Sequence, residues 1–197
     1  MLIKHALRRL ENFKKDTSGA VAVEAGFYFV TFFLLCALLS DMSIVFLDKG
    51  RLERVNYSLA AITQQRERFH NENETLTENE TNQLYAVAGA LLANSRLAGR
   101  SYAIFTDAVY FADGEEKRVS SNLTFHTGDA NCQVRRHEIT DAKVTALAAW
   151  HADDRRWLPV YQVTICVTGS QSLLMKISNV IGKTVGDLSV SNAVVPR

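Results

Sequence analysis

Polar and apolar positions in this chain sort first by region and only then by residue. Residues 20–47 are apolar almost without interruption, while the remainder reads as an ordinary water-facing chain. As a helix, Ala20 to Ser40 would rise roughly 31 Å, against a bilayer hydrocarbon core of about 30 Å. The pattern therefore predicts one transmembrane helix over residues 20–42. From Ser43 onward charged residues join the apolar ones. Val45, Leu52, Val55, Leu59 and Ile62 recur at the three-, four- and seven-residue steps of an amphipathic helix. No proline interrupts residues 43–68, and Gly50 is their one glycine. A single helix from about Ala20 to Arg68 follows, with residues 43–70 as its amphipathic extension; two helices broken at Gly50 are the alternative.

Residues 71–197 predict a globular head. Asn71 to Gln83 is polar, acidic and repetitive, the composition of an exposed loop. Within it, Thr77 and Glu80 have capping-box spacing for a helix carrying Leu84, Tyr85, Ala88, Leu91 and Leu92 and ending near Gly99. Two β-type runs, Tyr102 to Phe111 and Val119 to Phe125, flank Asp113-Gly114 and predict a hairpin. Further strands are expected at residues 160–167 and 188–195, with a short helix over 173–181 between them. The fold class that results is α+β: a long N-terminal helix and a small head built on an antiparallel sheet.

Charge then sets topology and removes one class of function. Twenty-two Lys and Arg against 21 Asp and Glu leave a formal charge of +1, too even for a nucleic-acid-binding face. Residues 1–19 form a basic leader, with Lys4, Arg8, Arg9, Lys14 and Lys15 against Glu11 and Asp16. That bias holds the N-terminus in the cytoplasm and exports the head, although Lys49, Arg51 and Arg54 follow the span. A cleavable secretory signal fits less well, because the apolar run is longer than about 15 residues and no clean A-x-A site ends it before Asp41.

Between Ala20 and Ser40 one residue is charged. A carboxylate at Glu24 costs a few kcal/mol on membrane-insertion scales, so a chain that keeps one there has a use for it. Gly19 lies five residues before it, next to the small Ser18 and behind Lys14 and Lys15. The string from Lys14 through Gly19 and on through Ala20-Val21-Ala22-Val23-Glu24 resembles the processing site of type IV prepilins and their minor relatives. Ala20, where many relatives carry phenylalanine, resembles the minor pilins (pseudopilins) of the tight-adherence (Tad) system, TadE and TadF. Ala25-Gly26 departs from their commoner Phe-Ala. The segment from Arg156 to Cys166, a proline-led strand ending at a cysteine, also resembles TadF-like proteins.

The resemblance implies a bacterial inner-membrane protein with a periplasmic head. A prepilin peptidase would cut between Gly19 and Ala20, leaving Glu24 as the fifth mature residue. Implied partners are that peptidase, other pilins and minor pilins, the inner-membrane assembly platform and membrane lipid; adherence or biofilm formation is the implied role, with no nucleic acid and no cofactor. Physically, the cut frees a positive α-amino group at the membrane boundary, and Glu24 can neutralise that of its own or a neighbouring subunit. In an exported head, Cys132 and Cys166 form a disulfide or remain buried thiols; Cys36 falls in the span.

Catalytic motifs are missing: there is no G-x-S-x-G, H-E-x-x-H, C-x-x-C or G-x-G-x-x-G, and the five histidines show no ligand spacing. Gly182-Lys183-Thr184 lacks the glycine a phosphate-binding loop needs at position 177, which is Ile177. Asp153-Asp154-Arg155-Arg156 reads as a solvated turn, and the sequons at Asn73, Asn79 and Asn122 have no role in a bacterial setting. An enzyme is not expected. The alternatives are an uncleaved single-pass envelope protein whose exported head binds a partner, and a membrane-anchored enzyme.

Overall fold

A computed structural model describes residues 18–66, 74–132, 134, 136–169, 172 and 187–196. The chain divides into two compact units, residues 1–43 and 44–197. Helix α1, Ser18–Gln64, contributes its first part to one unit and its second part to the other, without a break at Gly50.

In the first unit the helix is a consequence of solvent. Val21, Val23, Phe27, Tyr28, Phe29, Val30 and Phe32 are β-branched or aromatic residues that favour strands in water. In lipid no water is available to the backbone, so a lone segment must close its hydrogen bonds internally as a helix. The most apolar 18-residue stretch is only 6% buried, unlike the core helix of a soluble protein.

The second unit is α+β. Helix α2, Glu78–Ala93, starts at the expected capping box: Thr77 accepts from the Glu80 amide, and Glu80 accepts from the Thr77 amide. Strands β1 (Tyr102–Phe111) and β2 (Val119–Gly128) form the hairpin, with β2 three residues longer than its periodicity indicated. Beyond a one-turn helix α3 (Ala142–Thr145) and a two-residue ladder, β3 (Trp150–His151) with β4 (Arg156–Trp157), come β5 (Val160–Val167) and β6 (Leu188–Val194). The antiparallel sheet has the order β2-β1-β5-β6.

Strand alternation sends the sheet's two faces to different covers. On one face Ile104, Val163, Ile165 and Val167 pack with Leu52, Val55 and Leu59 of α1 and Leu84, Ala88 and Leu92 of α2. Each buried aliphatic side chain contributes roughly 1.5–3 kcal/mol. The opposite face is covered by residues 129–149: Ile139, Val144 and Ala148 pack on Val109 and Val160, and the Cys132–Cys166 disulfide lies against Ala103. Strand β5 is consequently buried along its whole length. Its polar residues, which the alternation alone would put toward water, are satisfied internally. Gln162 donates to the His137 carbonyl at 3.1 Å, and Thr164 to Ser191 Oγ at 2.9 Å.

The acidic stretch read as an exposed loop enters α2 from Glu78 onward and is less exposed than its composition suggests. Glu80 and Thr81 are buried, and Arg66, also buried, donates to both Glu80 oxygens at 2.8 and 2.9 Å. Glu74 pairs with Arg156 at 2.5 Å, so the 153–156 turn is also an anchor. The expected helix over 173–181 lies outside the described residues.

Candidate functional site

The candidate site is the start of α1. Gly19 lies in its first turn, exposed, with nothing within 4 Å of where a Cβ would stand. Ala20 follows in the same turn. With no side chain of its own, Gly19 leaves its peptide unobstructed. Lys14 and Lys15 lie outside the described residues.

Glu24 stands four residues after Ala20, one turn along on the same side of the helix. It is exposed. Its carboxylate meets Tyr28, whose hydroxyl donates to Glu24 Oε1 at 3.3 Å. Sequence reasoning passed over Tyr28, although the i, i+4 spacing is the signal that finds it. The other hydroxyls of the span close onto their own helix: Thr31 donates to the Phe27 carbonyl at 2.9 Å, Ser40 to Cys36 and Ser43 to Leu39 at 2.8 Å each. Such back-bonding hides a hydroxyl in an apolar medium. A carboxylate accepting one long, neutral hydrogen bond is left much less satisfied.

Around Glu24 the helix presents exposed aromatic and aliphatic side chains, with Val23 at 75% and Phe27 at 70% exposure. Cys36 is exposed and unbonded in this surface. After the span, Lys49 pairs with Glu53 at 3.9 Å. The arrangement offers an apolar helix with a carboxylate near one end and, among the described residues, no nucleophile–base pair beside it.

The head's polar groups are used in holding the head together. Asp107 is buried, pairs with Arg136 at 2.5 Å and accepts from Thr124 at 2.8 Å. Burial raises its pKa above the usual carboxylate value, against the opposing pull of Arg136. Cys132 and Cys166, the remaining sequence-predicted pair, are joined across 34 residues of chain.

No curated protein and no solved structure matches the chain. The model of one family, TadF, described as "Putative tight adherence pilin protein F", matches residues 12–197.

Proposed function

We propose a function from one premise: this chain belongs to the TadF family of tight-adherence pilin proteins. It acts as a minor pilin in building a Tad pilus, without catalysing a reaction. It enters the bacterial inner membrane with its N-terminus in the cytoplasm and its head in the periplasm. A prepilin peptidase removes residues 1–19, and the mature subunit packs through α1 against other pilins and the assembly platform, in support of adherence or biofilm formation.

The observation that carries this reading is the joint position of Gly19 and Glu24 at the start of one exposed apolar helix. The peptidase acts on a glycine peptide with no side chain to obstruct it. The cut leaves an ammonium group on Ala20. In lipid that cation and the Glu24 carboxylate each need the other, and the i, i+4 relation keeps both on one side of the rod. A neighbouring helix offering the same pair can exchange partners with it, which sets the axial register of packing.

Cleavage is tested by N-terminal sequencing of the membrane-extracted protein from cells that hold the peptidase. The expected first residue is Ala20. Finding Met1 there would instead favour an uncleaved single-pass protein whose head binds a partner. The Gly19→Leu variant should stay at precursor size on a gel, and trimming of that variant would reject Gly19 as the recognised residue.

A further inference from the structure

We infer that β2 is an open sheet edge on which a second copy of this chain adds its own β2, antiparallel, to join two heads through one continuous sheet. The order β2-β1-β5-β6 leaves β2 at an end of the sheet. Its inner side pairs with β1 from Gly128 to Val119, with the register irregularity confined to the Tyr110/Phe111 end. Backbone groups on the outer side of such a strand form a ready template for another strand.

Natural edges are normally blunted by shortness, by charge, by proline or by a central bulge. Strand β2 uses none of these. It is 10 residues long, against about 5–6 for a usual strand. Val119–Gly128 reads VSSNLTFHTG, with no Lys, Arg, Asp, Glu or Pro. Ser120, Ser121, Asn122, Thr124 and His126 are exposed. The segment also keeps the β-branched and aromatic residues that suit a strand.

The same composition selects a second copy as the occupant. An uncharged edge gives a charged foreign strand nothing to complement, whereas two copies bring no like charges opposite one another. Antiparallel pairing is also the arrangement a two-fold axis produces, each residue meeting its counterpart reciprocally. With the axis through Leu123, Asn122 faces the partner's Thr124, and the two Asn122 positions become diagonal neighbours within reach of long side chains.

The test uses the full-length protein in detergent micelles and compares sedimentation of wild type, Asn122→Lys, Asn122→Glu and an equal mixture of the two variants. Asn122 is exposed, and circular dichroism with an intact Cys132–Cys166 bond establishes that each variant is folded. Wild type should self-associate. Either variant alone should do so at least about tenfold more weakly, and the mixture should recover association by opposing Lys to Glu. The inference is overturned by a wild type that stays monomeric, by single variants that associate as wild type does, or by a mixture that fails to recover.

Discussion

At Gly128 the backbone has φ 112°, and a Cβ there would collide with the Tyr102 carbonyl oxygen and approach the Ala103 Cα to 2.9 Å. At Gly50 the backbone is helical and a Cβ would meet nothing within 4 Å. Two glycines in one chain therefore predict opposite outcomes. Gly128→Ala should cost at least about 2 kcal/mol of head stability, because backbone must move. Gly50→Ala should add about 0.5–1 kcal/mol by restoring helix propensity. Urea unfolding of the purified protein gives both signs, and a stabilised Gly128 variant would contradict the first. The Arg66–Glu80 pair makes a third demand at this scale. Their side chains are 3% and 10% exposed, and the Arg66 guanidinium also lies 4.8 Å from the Tyr161 ring centre. Glu80→Ala leaves that cation buried without its carboxylate and removes half of the α2 capping box, so a loss of about 3–5 kcal/mol is expected. The exposed Lys49–Glu53 pair should change stability by less than about 1 kcal/mol when broken. Similar losses at the two sites would mean that burial is not what gives Arg66–Glu80 its weight.

Periodicity revealed those elements whose partners are local or whose one face is apolar. The uninterrupted α1, the Thr77 cap of α2, the β1–β2 hairpin and the alternation of β5 all belong to this class. Residues 129–149 do not, because this cover has one helical turn of its own and is held in place by distant groups. Ile139 and Val144 find Val109 and Val160, Gln162 reaches the His137 carbonyl, and Cys132 reaches Cys166. No local pattern encodes such pairings, and only the two cysteines hinted at them. The acidic run that leads into α2 misled for a related reason: Glu80 and Thr81, in its first turn, look solvated until Arg66 and the Thr106 hydroxyl, 2.5 Å from that of Thr81, are brought alongside. The disulfide is thus the tie on which the cover depends most. Closing a loop of 34 residues is worth roughly 3–4 kcal/mol through loop-closure entropy. Cys132→Ser should lower the unfolding free energy by about that amount. Its hydrogen exchange should quicken in residues 129–149 before it does in α2. Uniform quickening across the head would show that the tie stabilises the whole sheet and not this cover.

Under the proposed function, processing and assembly make one demand on the whole molecule: the apolar helix must remain in lipid until a filament takes it, and then leave. A purely apolar rod has little reason to prefer protein neighbours over acyl chains, since lipid tails are as apolar as leucine. In that reading Glu24 supplies the difference. Alone in the bilayer its carboxylate accepts one neutral hydrogen bond, from Tyr28, and carries a penalty of a few kcal/mol. Beside the ammonium group of a trimmed neighbour the same charge is paired in a medium that barely screens it. Glu24 draws notice in the sequence because a charge stands out against an apolar run, and Gly19 by its spacing from that charge. Tyr28 does not, because an aromatic residue in a span looks like one more lipid contact. Three substitutions follow from this division of roles. Glu24→Ala should still be cut after Gly19, since the scissile peptide lies five residues away, but the trimmed subunit should accumulate in the membrane fraction at the expense of sheared pili. Glu24→Gln, which keeps shape and hydrogen bonding but not charge, should behave like Glu24→Ala if neutralisation is the role. Tyr28→Phe should keep both cleavage and incorporation, because the ammonium group and not the phenol is the partner that drives packing. Immunoblots of membrane and sheared-pilus fractions read all three. Wild-type incorporation of Glu24→Gln would mean that polarity, without charge, is enough to set the register.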